Sequence, residues 1–549
     1  MDGKFLFFFL SLICVSPQIQ ASSQSKKNIL ADHQILHVSN GAEPREIDPA
    51  LATGIPESHI IDSIFEGLTT TSPFDDKIHP GVAESWTVSS DGTSYVFKIR
   101  KNAKWSDGQS LTAKDFVFSW ERALSPKTAS EYAYQLYPIK NAEKYNLGTL
   151  KDFKQVGVKA KDEYTLEVNL ERPTHYFLLL TSFMTLLPTP EHVIKKFQGL
   201  EWTRDKNIVS NGPFKVKEAK LQESIKLIAN EFYWNKKDIK LKEIVIYPFD
   251  NKTTEEQNFI TGKIHMTSTL PAMRVPYYKS NFNNKYNPMK NFPVYGTFYF
   301  RFNTTRKPLN DPRVRQALSM VIDRSEIVQN ITRRGEIPAR SFTPPYASYE
   351  FKGNLPIKIS DEVIQEAKKL LAQAGYPGGK FMPKLNILYE TDEDNKRIAV
   401  AVQNMWKKTL GVEVGIYNEE WKVYLDSLHK LNFDIARSRW IGDYPDPNTF
   451  LECFLTNGGN NNTGWSNKNY DDLVKKAAST KDTQERLGFF QKAEEILMKE
   501  APISPVYYYS NTHLLVDNLK LFNPKDQSFH EWKADPMDHW YFSYTVLVK

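Results

Sequence analysis

The chain has 549 residues, more than one hydrophobic core usually organises, so two or three domains are expected. Charged residues make up 25% and hydrophobic residues 40%, which is typical of a folded globular protein and excludes a disordered or collagen-like chain. The 71 basic and 65 acidic residues leave a net charge of only +6, and the basic residues form no long block, so composition does not support nucleic-acid binding.

The N-terminus has the pattern of an export signal. Lys4 precedes an unbroken apolar run from Phe5 to Val15, and Ile19-Gln-Ala21 offers small-residue cleavage geometry. We therefore expect residues 1–21 to be a signal peptide and the mature protein to be periplasmic. Cys14 leaves a lipid anchor open as an alternative.

The first elements after the signal alternate between strand and helix patterns. A strand is predicted from Ile35 to Gly41, and an apolar helix through Ile60 to Phe65 is expected to end at Gly67. Alternating apolar and charged residues from Tyr95 to Arg100 predict a half-buried strand. The pair Thr112 and Asp115 has the spacing of a capping box, so a helix should begin there.

The middle of the chain is richer in turns and strands. An alternating strand is predicted from Thr165 to Leu170, and turn residues cluster around residue 190, where we expect the chain to cross between domains. Asn211-Gly-Pro213 opens a β-rich passage. A third region opens at Tyr299 to Asn303, and Asp311-Pro312 has the form of a helix N-cap followed by proline.

Beyond residue 360 the pattern becomes a regular series of helices and strands. The predicted elements are a helix at Ser360–Ala374, strand Leu385–Tyr389, helix Asn395–Leu410 closed by Gly411, strand Val412–Tyr417, helix Trp421–Lys430 and strand Phe433–Arg437. Strands that alternate with helices indicate parallel pairing and an α/β fold, in which ligands bind beyond the carboxyl ends of the strands. Asp443 lies just beyond such an end. Two further helices are predicted after Asn469, followed by a late strand at Ile503–Tyr509.

The sequence lacks the catalytic motifs that carry a recognisable mechanism. There is no GxxxxGK[ST], HExxH, GxSxG or paired CxxC, and no catalytic residue, metal ligand or cofactor is predicted. The stretch Asp443 to Asn448 lacks the spacing of a calcium-binding EF-hand loop. Cys453 lies in an apolar setting and is expected to be a buried, inert thiol. Aromatic residues reach 13%, which suits either core packing or a cleft that encloses amphipathic ligands.

Several motifs in a fixed order carry a resemblance to a known family. They are Gly54-Ile-Pro-Glu57, Pro80-Gly-Val-Ala-Glu-Ser-Trp86, Phe97-Lys-Ile-Arg100, Trp105-Ser-Asp-Gly108, Val117-Phe-Ser-Trp120, Asn211-Gly-Pro213, Tyr233-Trp-Asn235, Asn310-Asp-Pro-Arg-Val-Arg315, Thr343-Pro-Pro345 and Val506-Tyr-Tyr-Tyr509. Together they resemble the peptide-binding family of solute-binding proteins, which serve ATP-driven importers. The resemblance covers nearly the whole mature chain and extends to members that bind oligopeptides or a murein tripeptide.

The resemblance implies a periplasmic solute-binding-protein fold of two lobes and an extra domain, which closes by hinge motion around its ligand. The implied domains are domain I, discontinuous, at residues 22–65, 190–295 and 511–549, domain II at residues 66–189, and domain III at residues 296–510. No cofactor is implied, and a monomer is expected.

The resemblance also assigns roles to a small set of residues. Asp443 corresponds to the carboxylate that meets the α-ammonium of a peptide, and Arg437 to a basic residue that helps receive the ligand's carboxylate. Trp421 corresponds to a residue that lines a side-chain pocket. The segments Thr53-Gly54-Ile55 and Arg439-Trp440-Ile441 correspond to those that pair with the peptide backbone. The other cations that receive the carboxylate in the family are replaced here by Asn395 and Leu428.

The expected function is capture of short peptides and their delivery to an ABC-transporter permease in the inner membrane. Two alternatives remain open from the sequence. One is a specialist for peptidoglycan-derived peptides or another small ligand, since Arg439 adds a cation beside Asp443 and would favour an acidic ligand, unless it is only a solvated charge at a strand end. The other is an exported hydrolase or a chaperone on the same scaffold.

Overall fold

The computed structural model describes residues 29–197, 199–282, 286–346, 349–534 and 536–549. In chain order its strands are β1 Ile35–Ser39, β2 Thr69–Ser72, β3 Asp75–Pro80, β4 Ala83–Val88, β5 Ser94–Ile99, β6 Val158–Asp162, β7 Thr165–Asn169, β8 Phe214–Lys220, β9 Ser224–Ala229, β10 Glu243–Tyr247, β11 Met289–Phe302, β12 Ile337–Pro338, β13 Leu385–Glu390, β14 Val414–Glu419, β15 Ile435–Ile441, β16 Ile503–Leu514, β17 Leu519–Asn523, β18 Ser528–Glu531 and β19 Thr545–Leu547. Its α-helices are α1 Ile55–Ile64, α2 Ala113–Leu124, α3 Ala142–Asn146, α4 Phe177–Leu180, α5 Glu191–Ile194, α6 Lys252–Ile260, α7 Val275–Asn281, α8 Pro312–Met320, α9 Arg324–Glu326, α10 Asp361–Gln373, α11 Glu393–Leu410, α12 Trp421–His429, α13 Asn448–Leu451, α14 Lys468–Ser479 and α15 Thr483–Glu500. The predicted signal peptide at residues 1–21, with Cys14, lies outside the described residues, and no helix within them is long and apolar enough to cross a membrane.

Two four-stranded sheets are built from the first half of the chain. One has the order β1-β10-β9-β8, with β1 parallel to β10 and the other pairs antiparallel. The other has the order β4-β5-β7-β6 and is antiparallel throughout. One cluster of buried apolar side chains joins both sheets to the C-terminal strands β17 and β19. The N-terminal and C-terminal parts of the chain therefore share a core.

The predicted series of strands and helices forms part of a six-stranded sheet of order β12-β16-β11-β15-β13-β14. Strand β13 runs parallel to β14 and to β15, as the alternation of strands with α11 and α12 predicts. Helix α11 begins at the N-cap Asp392 and ends at Gly411, whose φ of 70° suits a left-handed cap. The remaining partners of β15 and β11 are antiparallel, so the sheet is mixed. The α/β fold class is confirmed.

Helix α1 ends earlier than predicted. The sequence places its end at Gly67, but the last helical residue is Ile64 and Phe65 is the C-cap. Gly67 has a different reason to be glycine, because a Cβ atom there would lie 2.1 Å from the backbone oxygen of Thr181. The prediction was wrong because a glycine required by close packing was interpreted as a helix stop.

The two longest strands are β11 and β16. β11 runs from Met289 to Phe302, and β16 continues to Leu514 rather than ending at Tyr509 as predicted. These two strands pair antiparallel along most of their length. They run through residues 295–296 and 510–511, the positions predicted as boundaries between domains I and III. Each of these two strands therefore runs without a break across a predicted boundary between domains I and III.

Cys453 is buried, as predicted, and its Sγ lies 3.2 Å from the backbone oxygen of Thr449. Burial raises the pKa of the Cys453 thiol well above its ordinary value. The thiolate form that reacts is therefore suppressed at neutral pH.

Candidate functional site

The structure brings all nine predicted site residues to the wall of one pocket. Thr53, Gly54 and Ile55 come from the turn that enters α1, and Trp421 begins α12. The remaining five, Arg437, Arg439, Trp440, Ile441 and Asp443, come from β15 and the loop that follows it. The pocket has a volume of about 190 Å³. Residues separated by almost 400 positions in the sequence therefore share one cavity.

Strand β15 presents a free edge to this pocket. Along one edge it pairs with β11 through its whole length, where Arg439 faces Phe298 and Ile441 faces Gly296. Along the other edge it pairs with β13 only at Ile435 and Ala436. Among the described residues no strand pairs with that second edge from 437 to 441. Apart from the backbone oxygen of Arg437, which accepts a hydrogen bond from the Tyr424 hydroxyl, this edge is open to an added strand.

Asp443 lies just past this free edge, and its carboxylate is held by neutral donors. Gln135 Nε2 donates to Asp443 Oδ2 at 2.8 Å, and Thr449 Oγ1 lies 3.4 Å from the same oxygen. Tyr132 adds a further side-chain hydrogen bond. Burial raises the pKa of Asp443 from 3.8 to about 7, because these bonds only partly offset the loss of hydration. Within the described chain no cation forms an ion pair with Asp443, although a charge interaction with His539, which lines the same pocket, lowers its pKa.

Contacts across the pocket join residues 132–176 to residues 443–460. Besides the bond from Gln135, the ring of Tyr176 stacks on that of Tyr444 at 4.8 Å with an interplanar angle of 9°. Asn448 Nδ2 donates to the hydroxyl of Tyr176 at 3.1 Å, and Asn460 donates to a second tyrosine, Tyr134, at 3.0 Å. These polar and aromatic contacts hold the two walls of the pocket together.

Arg437 is buried and its guanidinium already has a carboxylate partner. Arg437 Nη1 lies 2.7 Å from Glu390 Oε2, and Nη2 donates to the hydroxyl of Tyr509 at 3.0 Å. The guanidinium carbon also lies 4.9 Å from the ring centroid of Phe298. The nearby Glu390 carboxylate raises the pKa of Arg437 despite burial. Arg437 is therefore neutralised from within the protein.

Arg439 and Trp421 form the exposed side of the pocket. Trp421 is 40% exposed and stacks on Tyr424 at 5.8 Å, while the guanidinium carbon of Arg439 lies 5.9 Å from the Trp421 ring centroid. Arg439 is exposed, so its charge is screened by water. Leu428 and Asn395 stand where the resembled family has cations that receive the ligand's carboxylate. Leu428 lines the pocket, whereas Asn395 lies outside it at the start of α11.

Sequence reasoning missed several residues that line the pocket or, like Gln135, contact a residue that lines it. Gln135 and Tyr132 lie about 310 positions before their partner Asp443 and carry no local motif that signals it. Glu390 and Arg301 were also missed, although each is a charged residue within or at the end of a strand of the six-stranded sheet. Among the described residues no group of three or more His, Cys, Asp or Glu side chains is placed to hold a metal ion.

Comparison with known proteins shows a family to which this sequence and fold are similar. Residues 77–462 match the family model described as bacterial extracellular solute-binding proteins, family 5 middle. The oligopeptide-binding protein OppA of Bacillus subtilis is 38% identical over 492 residues, which cover 88% of this chain and 89% of that protein.

Solved structures of relatives superpose on nearly the whole chain. The murein tripeptide binding protein MppA of Escherichia coli matches with a TM-score of 0.87 at 35% identity, covering 95% of this chain and 100% of that one. Haemophilus influenzae OppA in complex with RPPGFSPFR matches with a TM-score of 0.84 at 33% identity and the same coverage. The unliganded open form of MppA gives only 0.69, so the arrangement described here differs from that open form. The chain belongs to family 5 of the bacterial extracellular solute-binding proteins.

Proposed function

We propose that the protein binds short peptides in this pocket and delivers them to the permease of an ABC importer in the inner membrane. The observation that carries the proposal is the free edge of β15, which leads directly to the Asp443 carboxylate. A peptide that pairs with this edge as an added strand gains backbone hydrogen bonds that do not depend on its side chains. The homologues named for oligopeptides and for a murein tripeptide agree with this class of ligand.

Asp443 fixes the direction of the bound peptide by receiving its α-ammonium. A unit charge pair at 4 Å is worth ~4 kcal/mol at an effective dielectric of 20. Loss of hydration offsets part of that term. Because the carboxylate has hydrogen-bond donors but forms no ion pair within the described residues, the ligand ammonium supplies a directly paired positive charge. The segment Thr53 to Ile55, which enters α1 in an extended conformation at Gly54, contacts the opposite side of the peptide.

The proposed domains follow the boundaries expected from the sequence, with domain I at 22–65, 190–295 and 511–549, domain II at 66–189 and domain III at 296–510. In this division Gln135 and Tyr176 belong to domain II, and their partners Asp443 and Tyr444 belong to domain III. The paired strands β11 and β16 then serve as the connection about which the lobes close. Closure brings the donors of domain II onto the carboxylate that holds the ligand.

A specialist for peptidoglycan-derived peptides is the second candidate function. Arg439 favours it, because it is an exposed cation beside the pocket that forms no ion pair within the described residues. An acidic ligand such as a murein tripeptide would gain a favourable charge contact there, whereas a neutral peptide would not.

Calorimetric titration with three ligands tests these proposals together. We expect trialanine to bind and N-acetyl-trialanine to bind ~10–100-fold more weakly, since a hydrogen bond to a charged group contributes about 1.5–3 kcal/mol. A murein tripeptide that binds more tightly than trialanine would favour the specialist. Failure of all three to bind contradicts the peptide function, and equal affinity for the acetylated peptide contradicts the role of Asp443. Peptide cleavage seen by mass spectrometry would instead support a hydrolase.

We also propose export through the signal peptide at residues 1–21, location in the periplasm and action as a monomer. The apolar run that follows Lys4 supports export. Intact mass of the protein purified from its host gives the cleavage position and reports any acyl chain on Cys14. Sedimentation velocity measures the oligomeric state.

A further inference from the structure

The buried arginines of the described chain fall into groups according to their partners. Those paired with a carboxylate are Arg334 with Asp394, Arg437 with Glu390 and Arg486 with Asp446. Those that donate mainly to backbone oxygens are Arg315 and Arg324. Arg301 belongs to neither group. It differs from both groups because its hydrogen bonds within the described residues go only to side-chain hydroxyl groups.

Arg301 is 6% exposed and lies on β11 at the wall of the candidate site. Its Nε donates to Ser438 Oγ at 2.6 Å and its Nη2 donates to the hydroxyl of Tyr299 at 3.0 Å. Its Nη1 is buried and has no hydrogen-bond partner among the described residues. Among the described residues no carboxylate lies within ion-pair distance of this guanidinium. A buried charge in this state is costly, and an N–H left without an acceptor adds to the cost.

The neighbouring Arg437 cannot take the same role without giving up its own partner. Its Nη1 is 2.7 Å from Glu390, so a ligand carboxylate at Arg437 would have to displace or repel that carboxylate. Arg301 presents the opposite situation, since its partners are two hydroxyl groups that remain neutral. The electrostatics of the pocket therefore favour an incoming anion at Arg301.

We propose that Arg301 receives a carboxylate of the bound ligand and so determines specificity for acidic peptides. This inference rests on the proposed peptide-binding function. Ser438, which anchors the guanidinium, lies five positions before Asp443, so the two charged sites are at most ~17 Å apart along an extended chain. A peptide that starts at Asp443 reaches Arg301 either with an acidic side chain or with the terminal carboxylate of a chain of about four or five residues.

Two pairs of peptides separate these sources of the carboxylate. The side-chain pair is Ala-Glu-Ala-amide and Ala-Gln-Ala-amide, and the terminal pair is Ala-Ala-Ala-Ala as free acid and as amide. Calorimetry on the wild-type protein is expected to show one acidic peptide binding ~10–100-fold more tightly than its neutral partner, the effect of a charge-assisted hydrogen bond. Arg301→Met should abolish that preference. Arg301→Lys should retain part of it, and Arg313→Met, an exposed arginine on α8, should leave it unchanged.

A spectroscopic measurement on the wild-type protein makes the test independent of how the variants fold. The ¹³C-labelled carboxyl carbon of the preferred ligand is titrated by NMR when free and when bound. We expect its pKa to fall on binding, since a nearby cation stabilises the ionised form. No preference for acid in either pair, or a preference that survives Arg301→Met in a folded protein, would overturn the proposal, as would an unchanged ligand pKa. In those cases the neutral peptides still bind if the proposed function is correct, whereas failure of every peptide to bind refutes that function itself.

Discussion

Replacement of Asp443 by asparagine removes one negative charge from the pocket with almost no change of shape. Because the carboxylate forms no ion pair within the described residues, the variant loses its attraction for a ligand ammonium without leaving a described cation unpaired. The Coulomb term of ~4 kcal/mol at an effective dielectric of 20 is an upper bound. A net loss of about 1.5–3 kcal/mol is more realistic for a charged hydrogen bond. Peptide affinity should therefore fall ~10–100-fold.

The pH dependence of binding gives the same prediction a more specific form. The pKa of Asp443 is about 7, so in the free protein the carboxyl group becomes protonated as the pH falls below that value. The α-amino group of a peptide has a pKa of about 8 and loses its charge above it. Affinity of the wild-type protein should peak between the two values and fall by up to ~10-fold per pH unit on the acidic side.

Calorimetry with trialanine from about pH 5 to about pH 9 measures this profile. Asp443→Asn should remove the acidic limb, and N-acetyl-trialanine, which has no ammonium, should give a nearly flat profile with the wild-type protein. A wild-type profile that is flat across pH 7 with trialanine would refute the reasoning. So would an acidic limb that persists in the asparagine variant.

Three further predictions concern closure and stability. Without ligand, Asp443→Asn should raise the thermal unfolding midpoint at pH 8, because a folded-state pKa of about 7, above the ordinary 3.8, makes ionisation destabilise the native state. The advantage should be clearly smaller at pH 5 and vanish only below 3.8, where the unfolded chain is protonated as well. An equal midpoint shift at both pH values would contradict this assignment. Gln135→Ala removes a hydrogen-bond donor to the Asp443 carboxylate, so trialanine should bind about 2–10-fold more weakly. The acidic limb of the affinity profile should also move to higher pH, because loss of the donor raises the pKa of Asp443. An unchanged calorimetric profile would count against the contact. Gly67→Ala should lower the free energy of unfolding in urea by about 1–3 kcal/mol, since its Cβ would meet the backbone of Thr181. The matched change Gly488→Ala in α15 meets no atom of the described residues within 4 Å and should raise that free energy by about 0.5–1 kcal/mol. Equal effects of the two changes would contradict the packing argument.

The sequence was most informative where local chemistry determines local structure. The capping box is present at the start of α2, Asp311 caps α8, and the helix that Gly411 was predicted to close ends there. In each case one or two side chains satisfy backbone groups within a few residues, so a sequence window contains all the information needed. The parallel pairing of β13 with its neighbours followed from the alternation of strands and helices.

The sequence was least informative where distant parts of the chain meet. The free edge of β15 depends on where β13 ceases to pair, and no local pattern contains that position. No local pattern predicts the contact of Gln135 with Asp443, which lies 308 residues further along the chain. Nor does one predict that Glu390 neutralises Arg437, which lies 47 residues further along. Such contacts arise from the packing of domains, so they appear only when the three-dimensional arrangement is known.

The departure of β13 from β15 after Ala436 also has a consequence for the protein before it meets a ligand. A strand edge with unsatisfied N–H and C=O groups can pair with an edge of another copy and start aggregation. Two features counter this tendency here. Arg439 places a charge on the exposed part of the edge, and the loop beyond it carries Pro445 and Pro447, which cannot continue a ladder of hydrogen bonds. The sequence that accepts a short peptide therefore also limits self-association, which allows an unoccupied cleft to persist in solution.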